Sequence, residues 1–444
     1  MRPPSYKAIV DEFAAAIRSG TLAAGTRLPT HRDLSRRRRI ALATATRVYA
    51  ELAAMGLVVG ERGRGTFVRV QSGYDGLEPS RALPVPRVAD LSFNQPLAEG
   101  QADRLRQALR ALSVSGEAEA LLRQDPPGGR LHERAAVATY LLDRGIDTAP
   151  ADVLLTSGAQ QALDSVLRSL TRPGDVLAVD ALSYPGIRLL ASAHGLDMAP
   201  VPLTATGPDL AALDRLCRTR PVRAIYAIPT LHNPLGWVLD RERRDRLVAL
   251  ARSHDCLIVE DGTYAFLASS PPPPLRTLAP ERTCYIAGLS KNVAPGLRFG
   301  FAVLPGHHVE GVTRSLRLAA WGAPGLVTAL ATGWLADGTV ARWEQERRVD
   351  AAARQDIARA ALAGMPCTAH PVSYMVWLGL EPHQRPDHVA ALLAEAGILV
   401  STADAFATGP CRPRALRLAL ATPPRDELGT VLRRLREVID SIPP

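Results

Sequence analysis

Any chemistry that needs a primary amine has little choice in this chain, because only Lys7 and Lys291 among its 53 basic residues are lysines. Lys291 follows an apolar run, Cys284-Tyr285-Ile286-Ala287, in the segment Gly288-Leu289-Ser290-Lys291, and Pro295-Gly296-Leu297-Arg298 comes next. Four other apolar runs end on polar residues of a matching kind. Val153 to Thr156 enters Ser157-Gly158-Ala159-Gln160, a small-residue turn opening a helix, whose free N–H groups and dipole suit a phosphate. Val176 to Val179 leads to Ser183-Tyr184-Pro185-Gly186, which offers an aromatic face, and Ala224 to Ile228 leads to His232-Asn233-Pro234, which presents an amide in a turn. Cys256 to Val259 leads to Glu260-Asp261-Gly262-Thr263-Tyr264, a carboxylate with a phenol three residues on.

Pyridoxal phosphate uses all of these groups at once. It needs an amine for the aldimine, a carboxylate to keep the pyridine nitrogen protonated, donors to the phenolic oxygen, an aromatic to stack on the ring, and a phosphate cup. Lys291, Asp261, Asn233 with Tyr264, Tyr184, and Ser157, Gly158, Ala159 and Gln160 with Ser290 and Arg298 are the candidates for those roles in turn. Blander readings exist, since Tyr184 and Tyr264 also suit a core. A G-x-x-x-x-G-K phosphate loop is excluded, as neither lysine follows a glycine. His307-His308 and the five scattered cysteines lack metal-ligand spacing, so no metal site is expected and the cysteines read as reduced and buried.

The apolar runs that carry these groups are separated mostly by helical stretches, which predicts an α/β domain with a largely parallel central sheet. Ligands in such sheets bind beyond the carboxyl ends of the strands, where the polar residues stand. At 47% apolar and 22% charged residues the chain is not of the disordered class, and neither a membrane span nor a leader stands out, so a cytoplasmic protein without a membrane partner is expected.

A different kind of sequence lies in front. Residues 1 to 70 hold thirteen Lys and Arg against five Asp and Glu, while the other 374 hold 40 against 39, so the net charge of +9 is concentrated in one segment. Such asymmetry points to a small polyanion-binding unit on a nearly neutral body. Ile9, Val10, Phe13, Ala14 and Ile17 recur at helical spacing, Thr30 is placed to cap a short second helix, and Ala45, Val48, Tyr49 and Leu52 mark a third. Leu57-Val58-Val59 and Thr66-Phe67-Val68 are the arms of a hairpin tipped with glycine and arginine. That order is a winged helix-turn-helix, in which the second helix of the pair enters the major groove and the wing touches the backbone. Arg32, Arg36, Arg37, Arg38 and Arg39 on the positioning helix and turn, Thr44 and Arg47 on the recognition helix, and Arg62 and Arg64 on the wing are the candidate DNA contacts. Taken alone, Arg36 to Arg39 also reads as a solvated charged face.

Residues 90 to 440 resemble fold-type I aminotransferases, and the whole chain is similar to the MocR subfamily of GntR-type transcription regulators, which fuse a winged helix-turn-helix to an aminotransferase-like domain. The resemblance rests on Leu28-Pro29-Thr30-His31-Arg32-Asp33-Leu34 and Gly63-Arg64-Gly65-Thr66-Phe67-Val68 in front. It continues through Ser157 to Asp164, Asn233-Pro234-Leu235-Gly236, Glu260-Asp261-x-x-Tyr264, Ser290-Lys291-x-x-x-Pro295-Gly296-Leu297-Arg298 and Leu416-Arg417-Leu418-Ala419. It implies a DNA-binding domain over 1–71, a linker over 72–89 and a pyridoxal 5'-phosphate-binding domain over 90–444. It further implies that Lys291 carries the cofactor, that Arg417 grips the α-carboxylate of an effector, and that a homodimer acts on double-stranded DNA. The expected function is a transcription regulator that senses the cofactor, or an amino acid or amine, by aldimine exchange. The alternative is a pyridoxal phosphate-dependent aminotransferase with an auxiliary DNA-binding head. Three positions depart from the family pattern: Gly288 stands where many relatives have a phosphate-binding Ser, Arg123 is nearest to a usual Tyr, and Leu42 replaces a DNA-contacting Arg.

Overall fold

The structure is a computed structural model and describes residues 6–18, 21–23, 25–54, 57–61, 65–68, 89–96, 100–114 and 118–443. Arg62, Arg64 and residues 72–88 of the expected linker therefore lie outside the described residues.

The front segment folds as its periodicity dictates. Helix Tyr6–Arg18 and helix Leu42–Ala54 pack Ile9, Val10, Ala14, Ile17, Val48 and Leu52 against Leu34 of the short helix His31–Arg38. Thr30 caps that short helix by accepting the Asp33 N–H at 3.2 Å, which satisfies an amide the helix itself leaves unpaired. At its other end Arg39 takes a left-handed conformation (φ 52°), so the chain turns sharply into the following helix. Strands Val58–Glu61 and Gly65–Val68 pair antiparallel, and the Leu28 N–H donates to Thr66 O at 2.8 Å, fastening the hairpin to the helices.

The large sheet has seven strands in the order Val153–Thr156, Gly300–Val303, Thr283–Gly288, Leu257–Asp261, Val222–Ala227, Val176–Asp180, Asp197–Val201. Every pair is parallel except those made by Gly300–Val303, which runs antiparallel to both neighbours. Its strands are apolar on both faces because helices cover both. Leu154, Leu177, Val179 and Val259 meet Ala162, Leu163, Ile187 and Leu316 on one side. Val153, Leu155 and Val303 meet Val137, Leu141 and Trp334 on the other.

A second sheet, with no counterpart in the sequence reading, orders Cys367–Ala369, Met375–Gly379, Ala415–Ala419, Ile398–Thr402 and Ala89–Leu91. Ala89, assigned above to the linker, is in fact the first residue of a strand that pairs parallel with Ile398–Val400. The cysteines also differ from expectation. All five are free, but only Cys256 and Cys284 are buried, whereas Cys367 on an edge strand and Cys411 in an irregular segment are exposed. Among the described residues no cluster suited to a metal ion occurs, and no helix is long and apolar enough to cross a membrane.

Candidate functional site

The carboxyl ends of the central strands bring most of the candidate residues to one place. Asp261 is the last residue of its strand, Ser157 follows Val153–Thr156, Tyr184 precedes helix Pro185–Ala193, and Ser290-Lys291 follows Thr283–Gly288. Their mutual influence shows the grouping: the Tyr184 phenol is raised by burial and then by the charge of Asp261, with Tyr264 and Arg298 also acting on it.

Lys291 is partly buried, donates from Nζ to the backbone oxygen of Asn94 at 2.8 Å, and lies 4.2 Å from the centre of the Phe93 ring. Burial, together with the guanidinium groups of Arg417 and Arg298, lowers its amine to about 7. Desolvation and like charges both disfavour the protonated form, so a large fraction of this amine is a free nucleophile near neutral pH.

Asp261 is 6% exposed and each of its oxygens is held. Tyr226 Oη donates to Oδ2 at 2.7 Å and the Thr263 N–H to Oδ1 at 2.9 Å. Tyr264 is buried, and its hydroxyl takes a hydrogen bond from Asn94 Nδ2 at 3.4 Å. Burial raises the Tyr264 phenol, while Arg417 and the Asn94 contact act in the other direction. Asn233 is buried with an Oδ1 that has no hydrogen-bond partner among the described residues.

At the phosphate corner, Gly158 caps helix Ala159–Leu170 with φ 92° and ψ 165°, and a Cβ there would come within 2.9 Å of Arg298 Nη2. Arg298 is exposed, sits in a left-handed conformation and donates to Ser157 O at 3.3 Å. The Ser157 hydroxyl donates to Gly322 O at 2.9 Å, and Gln160 Oε1 accepts the Tyr184 hydroxyl at 3.0 Å. The Gln160 side chain thus orients Tyr184, leaving the amides of 158 to 160 and the remaining N–H groups of Arg298 as donors of the corner. Ser290 is partly buried beside Lys291. Gly288 is close-packed: a Cβ would stand 2.7 Å from Phe299 O and 3.1 Å from Gly300 Cα, so the serine common in relatives does not fit this backbone. Arg123 is exposed and donates its backbone N–H to Ala120.

Arg417 lies on strand Ala415–Ala419 of the second sheet, 4% exposed. One nitrogen donates to Ser92 O at 2.5 Å and to Ser401 Oγ at 3.3 Å, while Nε has no partner among the described residues. Burial lowers this guanidinium to about 10. Ser92 and Asn94 belong to one short segment, which Thr422 and Ala421 also fasten through Phe93 O and Asn94 Oδ1.

On the front segment Arg32, Arg36, Arg37, Arg39 and Arg47 are exposed and Thr44 is partly buried. Arg36 pairs with Asp33 and Arg38 with Glu12. Arg47 lays its guanidinium 4.1 Å above the Tyr6 ring. Leu42 opens the candidate recognition helix and is 48% exposed, an apolar side chain at its N-terminal end.

Residues 86–435 match the family model for aminotransferase class I and II, and residues 5–68 match that for bacterial regulatory proteins of the gntR family. The chain belongs to the aminotransferase class I and II family. With a gntR segment ahead of it, this family member has the make-up of a GntR-type regulator with an aminotransferase-like domain, and the gntR segment implies DNA binding. Among its relatives is the HTH-type pyridoxine biosynthesis transcriptional regulator PdxR of Corynebacterium glutamicum, 26% identical over 444 residues that cover 97% of this chain and 95% of the relative. The probable rhizopine catabolism regulatory protein MocR of Rhizobium meliloti is 29% identical over 343 residues, 70% of this chain and 67% of that one. Among solved structures, the α-aminoadipate aminotransferase LysN of Thermus thermophilus, in complex with N-(5'-phosphopyridoxyl)-L-leucine, superposes with a TM-score of 0.73 at 26% identity, over 80% of this chain and 92% of that one. The aminotransferase class I and II fold is pyridoxal phosphate-dependent.

Three residues of this family member's site escaped the sequence reading. Ser92 and Asn94 act largely through backbone oxygens, which any residue type supplies, so no side-chain signal marks them. Tyr226 lies inside an apolar run and reads as core.

Proposed function

We propose that the protein is a transcription regulator whose aminotransferase-like domain binds pyridoxal 5'-phosphate at Lys291 and changes its DNA binding when the cofactor, or an amino acid or amine, occupies that site. The observation that carries the proposal is the environment of Lys291. An amine lowered to about 7 sits with Arg298 and Arg417 in a chain that begins with a gntR segment.

The residues fit the cofactor. Asn233 Oδ1 and Arg417 Nε are buried polar atoms without partners among the described residues, Gly158 leaves room that a Cβ would fill, and the donor set matches each part of the molecule. Asp261 would hold the pyridine nitrogen, Tyr264 and Asn233 the phenolic oxygen, Tyr184 a ring face, and the amides of 158 to 160 with Ser290 and Arg298 the phosphate. When bound, the cofactor supplies an aldehyde that joins amines and a ring that withdraws electrons. The remaining work falls to the chain. Lys291 holds or releases a proton at Nζ, Asp261 presents a buried carboxyl whose oxygens Tyr226 and Thr263 hold, and Arg417 orients a carboxylate. The domain division at 1–71, 72–88 and 89–444, a homodimer, and a cytoplasmic location complete the reading.

Titrating the purified protein with a panel of amino acids and amines, while following visible absorbance and binding to its promoter region together, tests the proposal. Lys291→Ala is expected to remove the borohydride-trapped cofactor adduct, and a trapped adduct at Lys7 would refute the assignment. Arg417→Ala is expected to retain the adduct but weaken the response to a carboxylated amine about a hundredfold, since a bidentate charge-assisted pair is worth roughly 2 to 3 kcal/mol. Rapid turnover with a keto-acid acceptor would instead support a catalytic aminotransferase with a DNA-binding head.

A further inference from the structure

We propose that Tyr226 is a positioning residue for the cofactor: its phenol anchors Asp261 Oδ2 and so keeps that carboxylate charged and correctly turned toward the pyridine nitrogen of pyridoxal phosphate. This rests on the reading just given, in which Asp261 meets that nitrogen.

The sheet itself sets the contact. Tyr226 pairs in register with Val259 on the neighbouring strand, and Asp261 lies two residues beyond Val259 on the same face. The Tyr226 ring is 1% exposed and packs in an apolar cluster with Ala162, Leu163 and Ile187. A phenylalanine would fill that space equally well, and a hydroxyl placed there needs a partner. The partner is Asp261 Oδ2 at 2.7 Å. Burial, and then the Asp261 charge, hold the phenol well above its ordinary range, so it remains a donor at every working pH. Thr263 N–H occupies the other oxygen, at 2.9 Å. The carboxylate is therefore pinned from both sides, and only one of the two pins depends on a side chain. A buried charge persists where such donors compensate its lost hydration.

The test uses the full chain loaded with pyridoxal 5'-phosphate carrying 15N at the pyridine nitrogen, in the wild type, Tyr226→Phe, Asp261→Asn and the double variant. In Tyr226→Phe the nitrogen resonance is expected to move from the protonated toward the unprotonated position, and the cofactor Kd to rise about tenfold, as for one lost hydrogen bond to a charged group. In the Asp261→Asn background the same change is expected to add nothing. A wild-type nitrogen shift and affinity in Tyr226→Phe would overturn the inference, as would an equal effect in the Asp261→Asn background, which marks a packing role. If the wild type binds no cofactor, or binds it without a protonated nitrogen, the parent reading fails together with this one.

Discussion

An ordinary lysine titrates near 10.5, so bringing Lys291 to about 7 changes how folding responds to pH. Between these two values the unfolded chain binds a proton at this residue that the folded chain does not, and stability therefore rises with pH across that window. Below about 7 the folded amine must itself be charged in a desolvated place, and the penalty is at its fullest. Lys291→Met in the cofactor-free protein is accordingly expected to be more stable than the wild type, by most below pH 7 and by nothing above about 10.5; urea midpoints at several pH values check this. A constant difference across the range would show that Lys291 is not desolvated. Lys291, Asp261, Asn233 and Tyr264 announce themselves because polar types stand at strand ends. The groups that complete their surroundings do not, since Asn94 lies 197 residues from Lys291 and Ser92 lies 325 from Arg417, and both contribute a carbonyl.

Among the elements, helix Ala159–Leu170 depends on a backbone shape open almost only to glycine. At φ 92° and ψ 165° Gly158 occupies a region that side chains find strained by roughly 1 to 3 kcal/mol, and a Cβ would also press on Arg298. Gly158→Ala is expected to lose that much stability and to weaken the affinity for pyridoxal 5'-phosphate. Gly174, at φ 89° with open space around it, provides the control, in which stability falls but affinity holds. Chemical denaturation and cofactor titration of the two variants separate the effects. Most strands of the large sheet were readable as apolar runs because both faces are buried, whereas the edge strand Asp197–Val201, with Asp197 and Pro200 exposed, was not. The second sheet was not, for local reasons. Ala89–Leu91 is three residues long, Cys367–Ala369 is exposed along its whole length, and the helix Thr339–Ala361 that packs nearby buries Arg347 and Arg354 by aiming them at the carbonyls of Pro96, Leu420 and Pro423. Charged side chains satisfied in that way break the apolar pattern that sequence reading depends on.

For the whole molecule, charge separates its two parts more sharply than composition does. Each phosphate neutralised on duplex DNA contributes about −0.9 to the slope of log affinity against log salt. Arg37 and Arg39 are exposed, whereas Arg36 and Arg38 are partly compensated by Asp33 and Glu12. Arg37→Ala and Arg39→Ala are therefore expected to flatten the slope by close to that amount each, and Arg36→Ala and Arg38→Ala by less; equal changes at all four positions in a salt series would contradict this. The winged order and the α/β body could be read from periodicity and turns. How the chain leaves the linker could not, and that exit has a consequence of its own. Strand Ala89–Leu91 runs directly into Ser92 and Asn94, whose carbonyls accept from Arg417 and Lys291. The protein is thus its own competitor: a ligand's apparent affinity is an exchange constant, measured against two oxygens already in place. A molecule bearing both a carboxylate and an amine-reactive centre competes with both oxygens at once, while Ala421, Thr422 and the pairing with Ile398–Val400 still hold the segment in place.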